Sequence, residues 1–358
     1  MNMELTFLGT ASAYPTPTRS VSCTALRYKD WVWLFDCGEG SQIQLMKSSL
    51  KPGKVSKIFI SHLHGDHLFG LPGLLCTVSQ NNQRSEPVEI YGPLGLRAYL
   101  QTTLGVSHSE MGFTFTVHEL VPVSQQLPPD IWEIEKTANS LPHPNEVPGK
   151  RIECNDNLVW NVFSDKGFVV QAVWVKHRVP SFAYVVKEND RPGKLDANKL
   201  KSLGVPAGPL YGKLKGGEVV HLADGTQIKP KDVMGPPQAG YIIAIGGDSS
   251  DSSELLKIAC GSHVLIHEAT LENAMEELCI QKGHSTPRMA GLLAKQLGVK
   301  QLILTHFSQR YKPLSCNTEP GEASVRILLQ EAQEAFGSNE VICAEDLVTF
   351  CLPRLEMG

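Results

Sequence analysis

Val55-Ser-Lys-Ile-Phe-Ile60, followed at once by Ser61-His62-Leu63-His64-Gly65-Asp66-His67, is the stretch that decides how this chain is read. The apolar run has the length and composition of a buried strand. Four residues of metal-ligating type then fall within His62 to His67. His62 and His64 stand two apart on an extended exit from the strand, so their side chains point the same way. Gly65 permits a sharp turn, after which Asp66 and His67 can face a neighbouring ion. A lone histidine is usually structural, but packing does not explain HxHxDH at a strand end.

One tetrahedral ion needs three protein ligands and a water, so two ions require further donors. Three suitable positions exist. His177 follows an apolar run, Asp248 ends Ile242-Ile-Ala-Ile-Gly-Gly-Asp, and His306 ends Gln301-Leu-Ile-Leu-Thr-His. Together with the first cluster they make a dinuclear site the economical account. Nitrogen and oxygen donors without thiolate suit zinc, and manganese or iron remain compatible with the same set.

Working outward, 358 residues with 42% hydrophobic and 20% charged positions describe a soluble globular chain rather than a disordered or fibrous one. No apolar stretch is long enough to cross a membrane, and the start, Met1-Asn-Met-Glu-Leu-Thr-Phe, reads as a strand rather than a signal. Nine cysteines with no CxxC pair suit a reducing compartment. Strands are expected at 3–8, 31–35, 55–60, 241–245, 264–266 and 301–304, and helices at 94–104, 289–297 and 323–336. Ser285-Thr-Pro announces the second helix. This alternation predicts an α/β layered domain with polar residues emerging at strand ends. The polar stretch from about 105 to 165 resists assignment. The net charge of −4 conceals an asymmetry, because residues 191–217 hold six basic residues against one acid, together with six Gly and three Pro. That segment is expected to be an inserted basic arm, with a solvated linker as the plainer alternative.

At this point the motifs resemble a family. HxHxDH with isolated His, Asp and His at later strand ends resembles the metallo-β-lactamase superfamily. Phe7-Leu-Gly-Thr, Leu34-Phe-Asp-Cys-Gly-Glu-Gly, His177-Arg-Val-Pro-Ser-Phe, Gly208-Pro-Leu-Tyr-Gly-Lys-Leu-Lys-Gly, His267-Glu-Ala-Thr, Gly283-His-Ser-Thr and Leu304-Thr-His-Phe-Ser-Gln-Arg-Tyr look like short-form, ElaC-type tRNase Z. The resemblance runs over nearly the whole chain. It implies one domain over 1–358, a four-layer αββα sandwich with a flexible arm at 191–217 that grips tRNA. It further implies a zinc-dependent endoribonuclease that removes 3′ extensions from tRNA, or acts on 3′-damaged tRNA, leaving a 3′-hydroxyl.

The same resemblance assigns roles. His62, His64 and His177 would hold one zinc, Asp66, His67 and His306 the other, and Asp248 would bridge them, giving two zinc ions per subunit and a shared hydroxide to attack phosphorus. Asp66 would also orient or deprotonate that water, and His284 would be the general acid. Asp36 and His267 would fix ligand orientation, with a buried structural role the equal alternative for His267. Gly208, Pro209, Tyr211, Lys213 and Lys215 would meet the tRNA backbone, read by shape rather than by base. Arg19, Ser181 and Phe182 would meet the acceptor end and Arg310 a scissile-region phosphate, with a purely structural role the equal alternative for each of the four. Pro15-Thr-Pro-Thr-Arg19 differs from the Lys- and Asn-containing family loop, so no preference at CCA follows. The family is typically a homodimer; the cytosol is the default compartment, with the nucleus open as a second. The competing reading is a small-molecule phosphodiester or lactone hydrolase on the same dinuclear site, which the arm would not serve. An RNA-binding module without chemistry is disfavoured, since all seven ligand positions are present.

Overall fold

Alternating burial along the first three strands sets the layering. In β1 (Met3–Gly9), Met3, Leu5 and Phe7 face one apolar cluster while Leu8 faces another; in β2 (Cys23–Tyr28) and β3 (Trp31–Phe35), Leu26, Trp33 and Phe35 take the first side and Ala25, Val32 and Leu34 the second. Side chains of period two that are apolar on both faces require cover on both faces. The computed structural model, which describes residues 3–79, 84–127, 141–222 and 224–352, shows where that cover comes from.

These strands continue through β4 (Val55–Phe59), β5 (Val88–Pro93) and β6 (Phe115–Leu120), with short β7 (Glu146–Val147) and β8 (Arg151–Ile152) both beside β6. From β3 to β6 the neighbours are parallel. A second sheet begins with the antiparallel strands β9 (Val159–Ser164), β10 (Phe168–Val175) and β11 (Ser181–Glu188). After an insertion carrying β12 (Val220–His221) and β13 (Gln227–Ile228), it resumes with the parallel run β14 (Ile242–Ile245), β15 (Val264–Glu268) and β16 (Gln301–Thr305). Past the small pair β17 (Tyr311–Lys312) and β18 (Ala323–Ser324), β19 (Val341–Cys343) completes it. The last strand, β20 (Thr349–Leu352), returns to the first sheet and pairs antiparallel with β1, Met3 opposite Leu352.

The cluster between the sheets is aromatic, with Phe35, Phe59 and Tyr91 stacked in series at 5.0 Å per step. Outside the first sheet lie α1 (Ser41–Lys47), α2 (Gly65–Leu68), α3 (Leu71–Ser79) and α4 (Leu96–Val106), which contribute Leu45, Leu68, Leu71, Leu74, Leu75, Leu96, Leu100 and Leu104. The insertion holds α5 (Ala197–Ser202), α6 (Pro209–Lys215) and α7 (Pro230–Val233). Outside the second sheet lie α8 (Glu276–Gln281), α9 (Pro287–Leu297) and α10 (Val325–Phe336). Each fully buried Leu or Phe contributes about 1.5–3 kcal/mol, so both outer helix layers are held by burial rather than by helix propensity. The expected αββα sandwich is the one the chain forms. Pro287 opens α9 at its first turn, as Ser285-Thr-Pro foretells.

Two expectations change. The insertion does not end at 217: Arg191 and Gln238 exchange backbone hydrogen bonds of 2.9 and 2.8 Å that close its base, and Leu195 bridges Met234. Nor is it a bare Gly/Pro arm. Leu200, Val205, Leu214, Val220, Ile228 and Val233 form a cluster of their own, built from residues spaced so widely between breakers that no local periodicity marks them. The stretch 105–165 contains β6 to β9; buried His118 and Glu119 interrupt the apolar pattern of β6 and hide it. Residues 128–140 of that stretch lie outside the described residues.

Candidate metal centre

The parallel strands of both sheets bring their carboxyl-terminal ends to one edge, the position where open α/β sheets place their ligands. His62 and His64 follow β4, His177 follows β10, Asp248 follows β14 and His306 follows β16. The sheets are tied there by Phe182 N–H donating to the Ser61 carbonyl at 3.0 Å and by the Tyr184 hydroxyl donating to the Ile60 carbonyl at 2.8 Å. Asp66 and His67 sit in the single turn of α2.

Seven donors converge in two groups, within each of which the ligand atoms lie within 4.8 Å of one another. In the first, His64 Nδ1 lies 3.1 Å from His62 Nε2 and 3.2 Å from His177 Nε2. In the second, His67 Nε2 and His306 Nε2 are 3.2 Å apart, and the two Asp248 oxygens stand 3.3 Å from His67 and 3.2 Å from His306. Asp66 Oδ2 is 3.4 Å from His306 Nε2. Asp248 also reaches the first group, at 3.8 Å from His62 Nε2.

The outward nitrogens fix which lone pairs face inward. His177 Nδ1–H donates to the Gly283 carbonyl at 2.7 Å, leaving Nε2 as an acceptor toward His64. Gly283 is required there: its φ is +80°, and a Cβ would stand 2.7 Å from His177 Nδ1. His67 Nδ1–H donates to Asp36 Oδ2 at 2.7 Å, and Asp36 also accepts from Ser61 N–H at 2.7 Å and Ser61 Oγ at 2.9 Å. Nitrogens with inward lone pairs, packed this closely around carboxylates, call for a cation. Burial lowers His64 to about 4, with His177 adding to it, and lowers His62 and His177 too, so these imidazoles are neutral donors. For His67, burial opposes charge, yet Asp248, Asp36 and Asp66 outweigh it and raise its pKa well above the usual range. The second group is thus a place of negative potential that binds either a proton or a metal ion. The donor set fits zinc.

Beside it, His284 Nδ1 lies 3.2–3.3 Å from both oxygens of Glu268 and 3.7 Å from Asp248 Oδ2. Burial works against its protonation, but Glu268 and Asp248 raise it to about 9. Glu268 also accepts from Ser249 N–H at 2.6 Å and from Thr270 Oγ1 at 2.5 Å, and Thr270 Oγ1 is 3.0 Å from His306 Nδ1. Sequence reasoning misses Glu268 and Thr270 and names His267 in their place. The correction is one of strand parity. On β15, Val264 and Ile266 face the space between the sheets and Leu265 faces the outer helices. Glu268 therefore points to the site, whereas His267 points away, 2.8 Å from the Glu268 carbonyl and 3.1 Å from Ser252 Oγ.

Three other expectations fail on burial. Arg19 is 3% exposed, with Nη1 donating to Thr10 Oγ1 at 2.7 Å and to the Ala344 carbonyl at 3.2 Å. Ser181 is fully buried and donates to the Asp248 carbonyl at 3.0 Å, and Phe182 is fully buried against Trp160. None of the three can touch an acceptor end. Arg310 does line the cleft of about 700 Å³ onto which His64, Asp66, Asp248 and His284 open. So do Arg178, Lys282, Tyr14 and Phe69, to which the sequence reading assigns no role. Tyr14 is 59% and Phe69 62% exposed. The Phe69 ring lies over Gly65, where a Cβ would stand 2.4 Å from it, and it stacks against Tyr99 at 19°. In the insertion, Lys213 and Lys215 are exposed on α6, Gly208 caps that helix, Pro209 opens it, and Tyr211 is half-buried against the local cluster.

Comparison with known proteins agrees with this geometry. A family model described as anti-Pycsar protein Apyc1 matches residues 3–136. Zinc phosphodiesterase ELAC protein 1 of Homo sapiens is 46% identical over 361 residues, covering 99% of each chain. Ribonuclease Z of Brevibacillus brevis is 40% identical, covering 98% of each. The crystal structure of human tRNase Z, short form (ELAC1), superposes with a TM-score of 0.68 at 36% identity, covering 98% of this chain and 99% of that one. With that identity across the full length, the chain belongs to the family of ELAC zinc phosphodiesterases and ribonucleases Z.

Proposed function

We propose that this chain is a zinc-dependent endoribonuclease that removes 3′ extensions from tRNA, leaving a 3′-hydroxyl. The observation that carries the reading is a pair of abutting donor groups that share Asp248 and open onto a cleft rimmed by Arg178, Lys282 and Arg310. His62, His64 and His177 would hold one ion, Asp66, His67 and His306 the other, and Asp248 would contact both. Two bound zinc ions supply Lewis-acid neutralisation of phosphodiester oxygens and lower the pKa of coordinated water. Asp36, by accepting from His67 Nδ1–H, leaves Nε2 as the nitrogen that would face the ion. The three cations at the rim attract the phosphate backbone. His284, held protonated by Glu268 and Asp248, donates its proton to the departing oxygen, a step worth about 10²–10⁴ in rate. Phe69 and Tyr14, exposed beside the ligands, offer ring faces on which bases flanking the cut can stack, at about 1–3 kcal/mol per base.

The insertion is read as the tRNA grip, with exposed Lys199, Lys201, Lys213 and Lys215 meeting phosphates. A second copy of the chain is read as partner, supported by Ile43 and Met46, 54% and 69% exposed on α1. Nine free cysteines suit a reducing compartment, and among the described residues no helix is long and apolar enough to cross a membrane. The test is cleavage of a 3′-extended precursor tRNA mapped to the nucleotide, with chelator and with zinc restored. One metal-dependent cut leaving a 3′-hydroxyl is expected, and His64→Ala should abolish it while tRNA binding survives. Cleavage that persists without metal would overturn the reading, as would rapid hydrolysis of a small diester with no cut in tRNA.

A further inference from the structure

We propose that Arg19, Thr10 and Asp346 form a brace that positions Asp66 and His306, and so sets how tightly that half of the centre holds its ion. Arg19 is then a positioning residue rather than a nucleic-acid contact. The inference rests on the two-metal reading above.

A guanidinium is costly to bury unless its charge is met. Arg19 lies 4.8 Å over the Phe307 ring, and although burial lowers its pKa, Asp346 and Glu345 are nearby opposing charges that work against that shift. Thr10 stands between Arg19 and Asp346, its hydroxyl accepting from Arg19 Nη1 at 2.7 Å and donating to Asp346 Oδ1 at 2.7 Å. Asp346 Oδ2 accepts from Ser20 N–H at 2.6 Å and Gln44 Nε2 at 3.1 Å. The network therefore clamps both ends of the 10–20 loop, whose neck is closed by Thr10 and Ala11 N–H groups on the Ser20 carbonyl, each at 2.9 Å.

From this clamped loop two contacts run to the metal centre. Ala13 N–H donates to Asp66 Oδ2 at 2.7 Å, and that same oxygen faces His306. Phe307 N–H donates to the Thr10 carbonyl at 2.9 Å, while Ser12 N–H donates to the Phe307 carbonyl at 3.0 Å, which fixes the residue next to His306. Ala13 and His306 both sit at positive φ, +60° and +58°, a conformation that non-glycine residues keep only where their surroundings enforce it. Gln309 Nε2 pins the loop from the other side through the Ser12 and Tyr14 carbonyls. None of these hydrogen bonds reaches His62, His64 or His177. The brace therefore acts on one donor group and leaves the other alone.

The test measures zinc retained per chain across a graded series of chelator, with kcat and KM on a 3′-extended tRNA, for the natural protein and for Arg19→Met, Asp346→Asn and Thr10→Val. The variants are expected to hold one ion as the natural protein does and to release the other at about 10–100-fold lower chelator. Their kcat should fall while KM for tRNA stays the same. Thr10→Val keeps every charge and nearly the same shape, so it carries the test where Arg19→Met does not fold. Equal loosening of both ions would overturn the brace, as would unchanged zinc with a raised KM. A natural protein that binds a single ion would instead overturn the two-metal reading on which the brace rests.

Discussion

Replacing Asp36 by Asn tests the logic of the centre with almost no change in shape. The carboxylate accepts three hydrogen bonds in a buried place: Ser61 N–H on Oδ1, and Ser61 Oγ and His67 Nδ1–H on Oδ2. An amide has one oxygen to offer. If that oxygen faces His67, the NH₂ group stands against Ser61 N–H at 2.7 Å, a buried donor left without an acceptor, costing about 1–3 kcal/mol. If the amide turns round, Ser61 N–H keeps its partner and the Ser61 hydroxyl rotates to accept. Only His67 is then opposed, and it escapes by moving its proton from Nδ1 to Nε2. The second arrangement leaves every backbone donor paired, so it wins. Its consequence is that Nε2–H, not a lone pair, faces His306 and Asp248. On the two-ion proposal, an ion held by Asp66, His67 and His306 should bind about 10–100-fold more weakly, or about 1.4–2.8 kcal/mol, while the group of His62, His64 and His177 is unaffected. Competition with a chromophoric chelator measures the loss. An Asp36→Asn variant that retains zinc as tightly as the natural protein across the whole chelator series would refute the reasoning.

His284→Asn should lower kcat on tRNA by about 10²–10⁴ with zinc content unchanged, yet barely affect a nitrophenyl diester, whose leaving group needs no proton; equal losses on both would remove the acid role. Phe69→Ala should raise KM for 3′-extended tRNA by about 5–150-fold, the factor that corresponds to ~1–3 kcal/mol of stacking, and an unchanged KM would exclude the ring from substrate contact. Reversing Lys213 and Lys215 to Glu should weaken tRNA binding and flatten its salt dependence by about one slope unit for each phosphate no longer neutralised, checked by titrations at several salt concentrations. His118, 9% exposed, is lowered to about 4 by burial, with Lys150 and Lys57 adding to it. It stays neutral in the fold while the unfolded chain takes up a proton below about pH 6.5, so stability falls as pH drops toward 4. Between pH 7 and pH 5 this costs about 2 kcal/mol, and His118→Gln should show a correspondingly smaller acid loss in urea unfolding.

The ligands are legible because each is announced by its neighbours: an apolar run, then a donor at the strand end. HxHxDH adds local parity, and a strand exit plus one turn suffices to separate the pairs. Residues whose role depends on distant parts of the chain are not legible. Arg19, between Thr18 and Ser20, reads as a surface cation, and it takes Phe307 and Ala344, some 300 positions away, to bury it. Ser181 and Phe182 open β11, which is covered on both faces because a second sheet and a helix layer enclose it. Glu268 escapes for a subtler reason. His267 and Glu268 are both ligand-like, and which of them faces the site depends on the phase of β15, fixed by burial of Val264 and Ile266 rather than by any motif. The insertion's small cluster is likewise scattered among breakers, so its order comes from closure at Arg191 and Gln238.

The return of β20 to pair with β1 orders events during synthesis. The first sheet is made early, yet its edge beside β1 stays open until Thr349 to Leu352 have been translated. Asp346, which anchors Thr10 and Ser20, arrives at the same moment. Contacts this far apart in sequence close late, because loop entropy must be overcome before they stabilise anything. A nascent chain halted anywhere short of its last strand therefore carries most of the donors but not the closed edge or the anchored loop. The closed edge and the anchored loop both await residues 346–352, whose contacts lie more than three hundred positions back along the chain.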